Sequence, residues 1–217
     1  EDPDTSMALA QEAFDRALSL DPDSSLAHNL YTYFEIEQKA SPADAMVRLL
    51  QRAHSHPTDA QLFSGLVVAC RFCGILDASL AADRRGRQID PDLSSSVAYT
   101  LWMLGDYEEA IRQDVGEPRF VRLSSLPMIG RTEEAIAGYR EMERTAASDL
   151  LRQIASESRT ALEGRAGEWF GAAHRLLGSH FRDPEGLYFV ARNLAFAGER
   201  SLALDVMADV VGRGFCC

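Results

Sequence analysis

Cys70-Arg71-Phe72-Cys73 sets two thiols three residues apart, which is the spacing of half a zinc knuckle. A tetrahedral site needs two more ligands, and the chain has no second Cys-x-x-Cys and no His-x-x-x-His. Cys216 and Cys217 could supply them only if distant parts of the chain met. Cys70 and Cys73 are therefore read as small packing residues of a helix. His54-Ser55-His56 falls where a helix is expected to end, and imidazoles there bond to the last carbonyls. His28, His174 and His180 stand alone in sequence. The carboxylate pairs Glu108/Glu109 and Glu133/Glu134 fall in expected first helical turns, where they complement the helix dipole rather than act as an acid–base pair. Arg84-Arg85-x-Arg87 is the most basic stretch and reads as a solvated helix face, or as a contact to an acidic partner. There is no Gly-rich phosphate loop, nucleophile elbow or His-Glu metalloprotease motif. The expectation is a chain with no catalytic residue, no metal site and no cofactor, hence not an enzyme.

Bulk properties agree with a folded, soluble chain. Of 217 residues, 46% are hydrophobic and 25% charged. The formal charge of −11 disfavours an extended phosphate-binding face, so nucleic acid is not expected as a partner. The apolar run Leu66-Val67-Val68-Ala69-Cys70 is cut at once by Arg71, far short of the roughly 18 residues of a membrane span. Four clustered cysteines do not make a disulfide framework and suggest a reducing compartment, here taken as cytoplasmic.

The elements that would carry these residues follow from internal repetition. In Ala10-x3-Phe14-x2-Ala17-x4-Pro22 a small residue, a large apolar one, another small one and a Pro share a helical face. The frame recurs at Ala45, Leu49, Arg52 and Pro57, at Ser79 and Pro91, and at Ala172, Leu176, Ser179 and Pro184. A Gly stands five residues before the small residue in Gly74/Ser79, Gly105/Ala110, Gly130/Ala135, Gly167/Ala172 and Gly198/Ala203. Gly suits the left-handed turn that ends one helix, and the small side chain lets the next helix approach closely. The anchors at 10, 45, 79, 110, 135, 172 and 203 are separated by 35, 34, 31, 25, 37 and 31 residues. The short fourth step predicts a truncated helix stopped near Gly116-Glu117-Pro118, less protected in hydrogen exchange than its flanks.

The pattern resembles the tetratricopeptide repeat family, most closely at Leu104-Gly105-Asp106-Tyr107-Glu108-Glu109-Ala110-Ile111 and at Ile129-Gly130-Arg131-Thr132-Glu133-Glu134-Ala135-Ile136. It covers nearly the whole chain and departs from the family at Arg52, Asp83, Gly86 and Asp114, where small or apolar residues are usual. The resemblance implies an all-α fold: a right-handed α–α superhelix of about six to seven hairpins, forming one domain over residues 1–217. Second helices are expected near 7–20, 43–55, 77–89, 107–114, 132–145, 168–180 and 200–212. First helices are expected near 25–38, 60–73, 95–104, 119–128, 148–163 and 186–197. The first and last repeats look incomplete, which suggests one segment of a larger bacterial multidomain protein, with self-association through the truncated ends as a further expectation.

In this family the first helices line a concave face. Aligning them on their glycines picks Asn29, Tyr33, Ser64, Val68, Arg71, Tyr99, Trp102, Ser124, Tyr188 and Arg192. Aromatic and Arg residues of this kind are enriched in protein interfaces. The resemblance thus implies a scaffold or adaptor that binds a peptide or protein domain in its groove, with no membrane partner. The alternative is a regulatory repeat segment of a signalling protein (kinase, cyclase or transcription regulator) acting within its own chain. Some relatives grip chaperone C-termini with Lys, Arg and Asn. The matching helices here carry no Lys, so that clamp is not expected.

Overall fold

In the computed structural model the described residues are 3–115, 120–164, 177, 183–196 and 198–216. They are all-helical and contain no strand: α1 (Pro3–Leu20), α2 (Ser25–Glu37), α3 (Pro42–Ser55), α4 (Ala60–Phe72), α5 (Leu76–Ile89), α6 (Val97–Met103), α7 (Tyr107–Gln113), α8 (Phe120–Ser125), a 3-10 turn (Leu126–Ile129), α9 (Thr132–Thr145), α10 (Asp149–Leu162), α11 (Pro184–Phe196) and α12 (Arg200–Gly212). Most expected boundaries fall within two or three residues of these. The exception is α1, which starts at Pro3 rather than near residue 7. The helix expected at 168–180 (apart from Leu177), its Gly167/Ala172 pair and Ser179, the stop at Gly116-Glu117-Pro118, His174, His180 and Cys217 lie outside the described residues. No described helix is long and apolar enough to cross a membrane.

One local device recurs. Gly74, Gly105, Gly130 and Gly198 have φ of 72°, 81°, 79° and 92°. At Gly74 the glycine N–H bonds to Arg71 O at 2.9 Å and the next N–H, of Ile75, bonds to Cys70 O at 2.9 Å. The same pair of bonds closes the helix before Gly105, Gly130 and Gly198. Two stranded carbonyls are satisfied, the chain reverses, and the next helix starts within two residues. Five residues after each glycine the small side chain is buried: Ser79, Ala110 and Ala135 are fully buried and Ala203 is 5% exposed. Ala45 is also fully buried, whereas Ala10 is only half-buried.

The chain divides into two compact units, Glu1–Thr100 with Gly212–Cys217, and Leu101–Val211. In the first, α4 is the central helix, packed on α2, α3 and α5. Leu62, Leu66, Val67, Ala69 and Phe72 are buried along it, with Leu49 of α3 against Gly65. Three of the residues that depart from the expected repeat pattern are explained here. Arg52 donates to Asp23 at 2.8 Å. Asp83 is buried, yet accepts from Ser95 Oγ at 2.5 Å and pairs with Arg87 at 3.0 Å. Gly86 leaves room for Leu93, whose Cδ2 would lie 2.4 Å from any Cβ there. Of the basic stretch, Arg87 is thus tied to Asp83, and Arg85 reaches Pro57 O at 3.3 Å.

The C-terminal segment of this unit corrects one expectation. A superhelical stack of hairpins was expected to keep Cys216 apart from Cys70 and Cys73. Instead Phe215 is 1% exposed and edge-on to Phe72, ring centres 4.7 Å apart, and Cys216 N–H donates to Phe72 O at 3.0 Å. Burying an aromatic ring outweighs the ordering of the few residues that carry it.

In the second unit α9 packs on α10, and α7 on α8 and the 3-10 turn. The core joins Ile111, Leu123, Leu126, Ala135, Tyr139, Met142 and Ala155. Gly138 permits the approach of α8, because a Cβ there would meet Leu123 Cδ2 at 2.2 Å. Asp114, the fourth departure, accepts from the Arg122 N–H at 2.6 Å, where it caps the start of α8.

Candidate functional site

Four of the sequence-selected residues, Trp102, Ser124, Tyr188 and Arg192, belong to the second unit, and the fold brings them together there. Tyr139 projects from α9 into the gap between α8 and α10. Its ring is buried and its hydroxyl meets Ser124 Oγ at 3.2 Å and the Ser158 side chain. Burial raises its phenol pKa, so it stays a neutral donor and acceptor. Beside this hydroxyl cluster opens a cleft of about 260 Å³, lined by Leu123, Ser124, Pro127, Met128, Tyr139, Ser158, Ala161, Leu162, Arg192 and Asn193.

Arg192 projects from α11 and lines this cleft. Its guanidinium carbon stands 4.3 Å from the Trp102 ring centre, and Nη2 lies 2.7 Å from Met128 Sδ. Burial lowers its pKa, while Tyr107, Tyr188 and Tyr139 act to raise it, and an arginine this far above neutrality remains a cation. Trp102 also packs on Phe189, tilted with ring centres 4.4 Å apart, and edge-on to Tyr188 at 6.2 Å. Phe120 extends the cluster through Phe189 at 5.1 Å. The Trp102 Nε1–H is buried and meets no acceptor among the described residues. Such an orphan donor costs free energy and calls for an explanation. Arg192 and Tyr188 also line a second hollow of about 410 Å³ with Ala191, Ala195, Arg200, Ala203, Leu204 and Met207. Arg192 therefore lines both a cleft of mixed polarity and a mostly apolar hollow. The arrangement offers a fixed cation, a row of hydroxyls and apolar walls, which suits recognition of an anionic group beside apolar ones.

The other six selected residues lie in the first unit and play different parts. Val68 is 1% exposed in the core. Ser64 is buried and donates to Ser94 O at 3.0 Å. Arg71, 1% exposed, donates to Ser96 O at 3.1 Å and Ser96 Oγ at 3.0 Å, with Tyr99 5.2 Å beneath its guanidinium. It ties the segment before α6 to α4. Asn29 donates weakly to Gln61 Oε1 at 3.5 Å, and Tyr33 is exposed. Sequence reasoning did not single out Tyr139 or Ser158, since both lie on helices whose inward face reads as plain core.

A second polar cluster in the first unit is structural. His28 Nε2 lies 2.9 Å from Pro22 O and Nδ1 2.9 Å from Arg48 Nη1. A carbonyl only accepts and a guanidinium only donates, so the ring carries its proton on Nε2. Arg48 also pairs with Glu35 at 2.7 Å and donates to Thr32 Oγ1 at 2.8 Å. His56 caps α3 and faces Asp23 at 3.2 Å. No group of three or more His, Cys, Asp and Glu among the described residues is disposed to hold a metal ion.

No protein-family model matches the chain, and a search of curated proteins returned no match.

Proposed function

We propose that this chain is a tetratricopeptide-type repeat segment, its hairpins stacked in a right-handed superhelix, and that it holds another polypeptide at the cleft of its second unit. The observation that carries the reading is Arg192, set over the Trp102 ring and lining both the cleft that Ser124, Tyr139 and Ser158 share and the neighbouring apolar hollow. The recurring glycine turn and buried small residue support the repeat reading. The matching ligand is a peptide that presents a carboxylate flanked by apolar side chains. The Arg would bind the carboxylate, a hydroxyl would accept or donate to the peptide backbone, and the hollows would take the apolar groups. A chain of net charge −11 repels acidic partners in general, so such a ligand must be drawn by this local cation.

The test is selection from a random peptide display library on the immobilised chain, followed by calorimetry. Enriched peptides should share an acidic residue beside apolar ones, and Arg192→Gln should weaken them tenfold or more, the loss of about 1.4 kcal/mol. If no family of peptides is enriched, or if Arg192→Gln binds them equally well, the reading fails.

A further inference from the structure

We propose that Cys73 and Cys216 form a redox-sensitive disulfide that clamps the C-terminal segment onto the end of α4. The inference is independent of peptide binding and rests on the backbone between them. Cys216 N–H donates to Phe72 O at 3.0 Å, and Cys73 is the residue that follows that carbonyl. One N–Cα bond, this hydrogen bond and the reach from the Phe72 carbonyl oxygen to the next α-carbon separate the two α-carbons, which therefore stand at most about 7.3 Å apart, and less for any bend in that path. Disulfides span roughly 4.4–6.8 Å between α-carbons. The neighbouring residue gives a second measure, since a Cβ placed on Gly74 would lie 3.9 Å from the Cys216 Cβ. Phe215, buried against Phe72, fixes the approach.

The thiols differ in access. Cys70, Cys73 and Cys216 are all free; Cys216 is exposed, Cys73 half-buried and Cys70 buried. Burial pushes the Cys70 thiol up to about 11 and makes it a poor nucleophile. Burial and the facing Cys216 also raise Cys73. The exposed Cys216 thiolate therefore attacks first. With a low-molecular-weight disulfide such as oxidised glutathione as oxidant, Cys216 sulfur bonds to one glutathione sulfur and expels the other as a thiolate. Cys73 sulfur then attacks Cys216 sulfur and expels the second glutathione thiolate. Two protein thiols are oxidised, one disulfide is reduced, and the two protons lost by the cysteines end on the two glutathione molecules. In the reduced chain non-covalent contacts hold the segment, among them Phe215 on Phe72 and the Cys216–Phe72 backbone bond. In the oxidised chain it is covalently fixed, as befits a reversible sensor in a reducing compartment.

The reduced full chain is equilibrated in glutathione buffers of rising disulfide content, quenched with acid, alkylated and mapped by mass spectrometry. The expected product links the Cys73 and Cys216 peptides, with two thiols lost. Cys70→Ser should retain it, and Cys73→Ser or Cys216→Ser should each abolish it while leaving the helical circular dichroism unchanged. A product confined to a Cys70–Cys73 or Cys216–Cys217 bond, or to glutathione held on Cys216 alone, would overturn the proposal.

Discussion

The Arg192 guanidinium lies 4.3 Å above the Trp102 ring, and the two residues divide the work of the cleft between charge and support. Trp102 is 3% exposed and anchors an aromatic cluster, whereas Arg192 is half-buried at the cleft wall. Trp102→Ala should therefore cost about 3–5 kcal/mol in urea unfolding. Arg192→Gln, which keeps a polar side chain at the cleft wall, should cost less, about 1 kcal/mol. Equal losses would mean that Arg192 is a folding residue rather than a ligand-facing one.

The buried small residue after each glycine makes a sharper claim on stability. Ala110 is fully buried, so Ala110→Arg forces a charge into a close helix contact at a cost of order 2–5 kcal/mol. Thermal unfolding at an unchanged midpoint would show that the repeat register is misplaced.

Trimming the buried hydroxyl at position 79 should weaken this protein. Ser79 Oγ bonds to Val67 O at 2.7 Å and to Thr100 Oγ1 at 2.8 Å, all buried. Ser79→Ala leaves Thr100 short of a partner and should lose about 1–2 kcal/mol. A gain in stability by denaturant titration would contradict the assigned hydrogen bonds.

Two glycines with the same left-handed backbone separate strain from collision. Gly105 has φ 81° with open space around it, so Gly105→Ala should cost about 1–2 kcal/mol from backbone strain alone. Gly74 has φ 72°, and its added Cβ would stand 2.5 Å from the Cys216 carbonyl oxygen. Gly74→Ala must also push residues 212–216 away, so it should destabilise more and expose Phe215 to hydrogen exchange and proteolysis.

His28 sets a pH dependence. Burial above all, with Arg52 and Arg48 nearby, lowers its pKa beneath the ordinary 6.5 and outweighs the Pro22 carbonyl that acts to raise it. The unfolded chain therefore takes up this proton first as pH falls. The contribution is full above about 6.5 and is lost as pH drops through the window below it, toward the folded value. Urea unfolding between pH 7.5 and 5.5 should show stability declining with acid, and His28→Gln should flatten that slope. An equal slope in the variant would assign the effect elsewhere.

What was readable in the sequence was what is local. Gly130-Arg131-Thr132-Glu133-Glu134-Ala135 carries its own turn, first-turn carboxylates and close-packing residue, and α9 begins at Thr132 as expected. Register together with the family resemblance put Trp102, Ser124, Tyr188 and Arg192 on one list, and the second unit sets them near one another. Contacts between segments without a period were not readable. Arg71 is satisfied by Ser96, which lies in the non-helical stretch before α6, so nothing in the helical pattern marks it as buried. Phe215 meets Phe72 from 143 positions away, and no spacing rule reports such an encounter.

The most direct test of the account is amide chemical-shift mapping of the labelled chain with a selected acidic peptide. Perturbations should cluster on Leu123–Met128, Tyr139, Ser158–Leu162 and Arg192–Asn193, and should vanish in Arg192→Gln. Perturbations confined to the first unit, or persisting undiminished in that variant, would contradict a binding cleft built around Arg192.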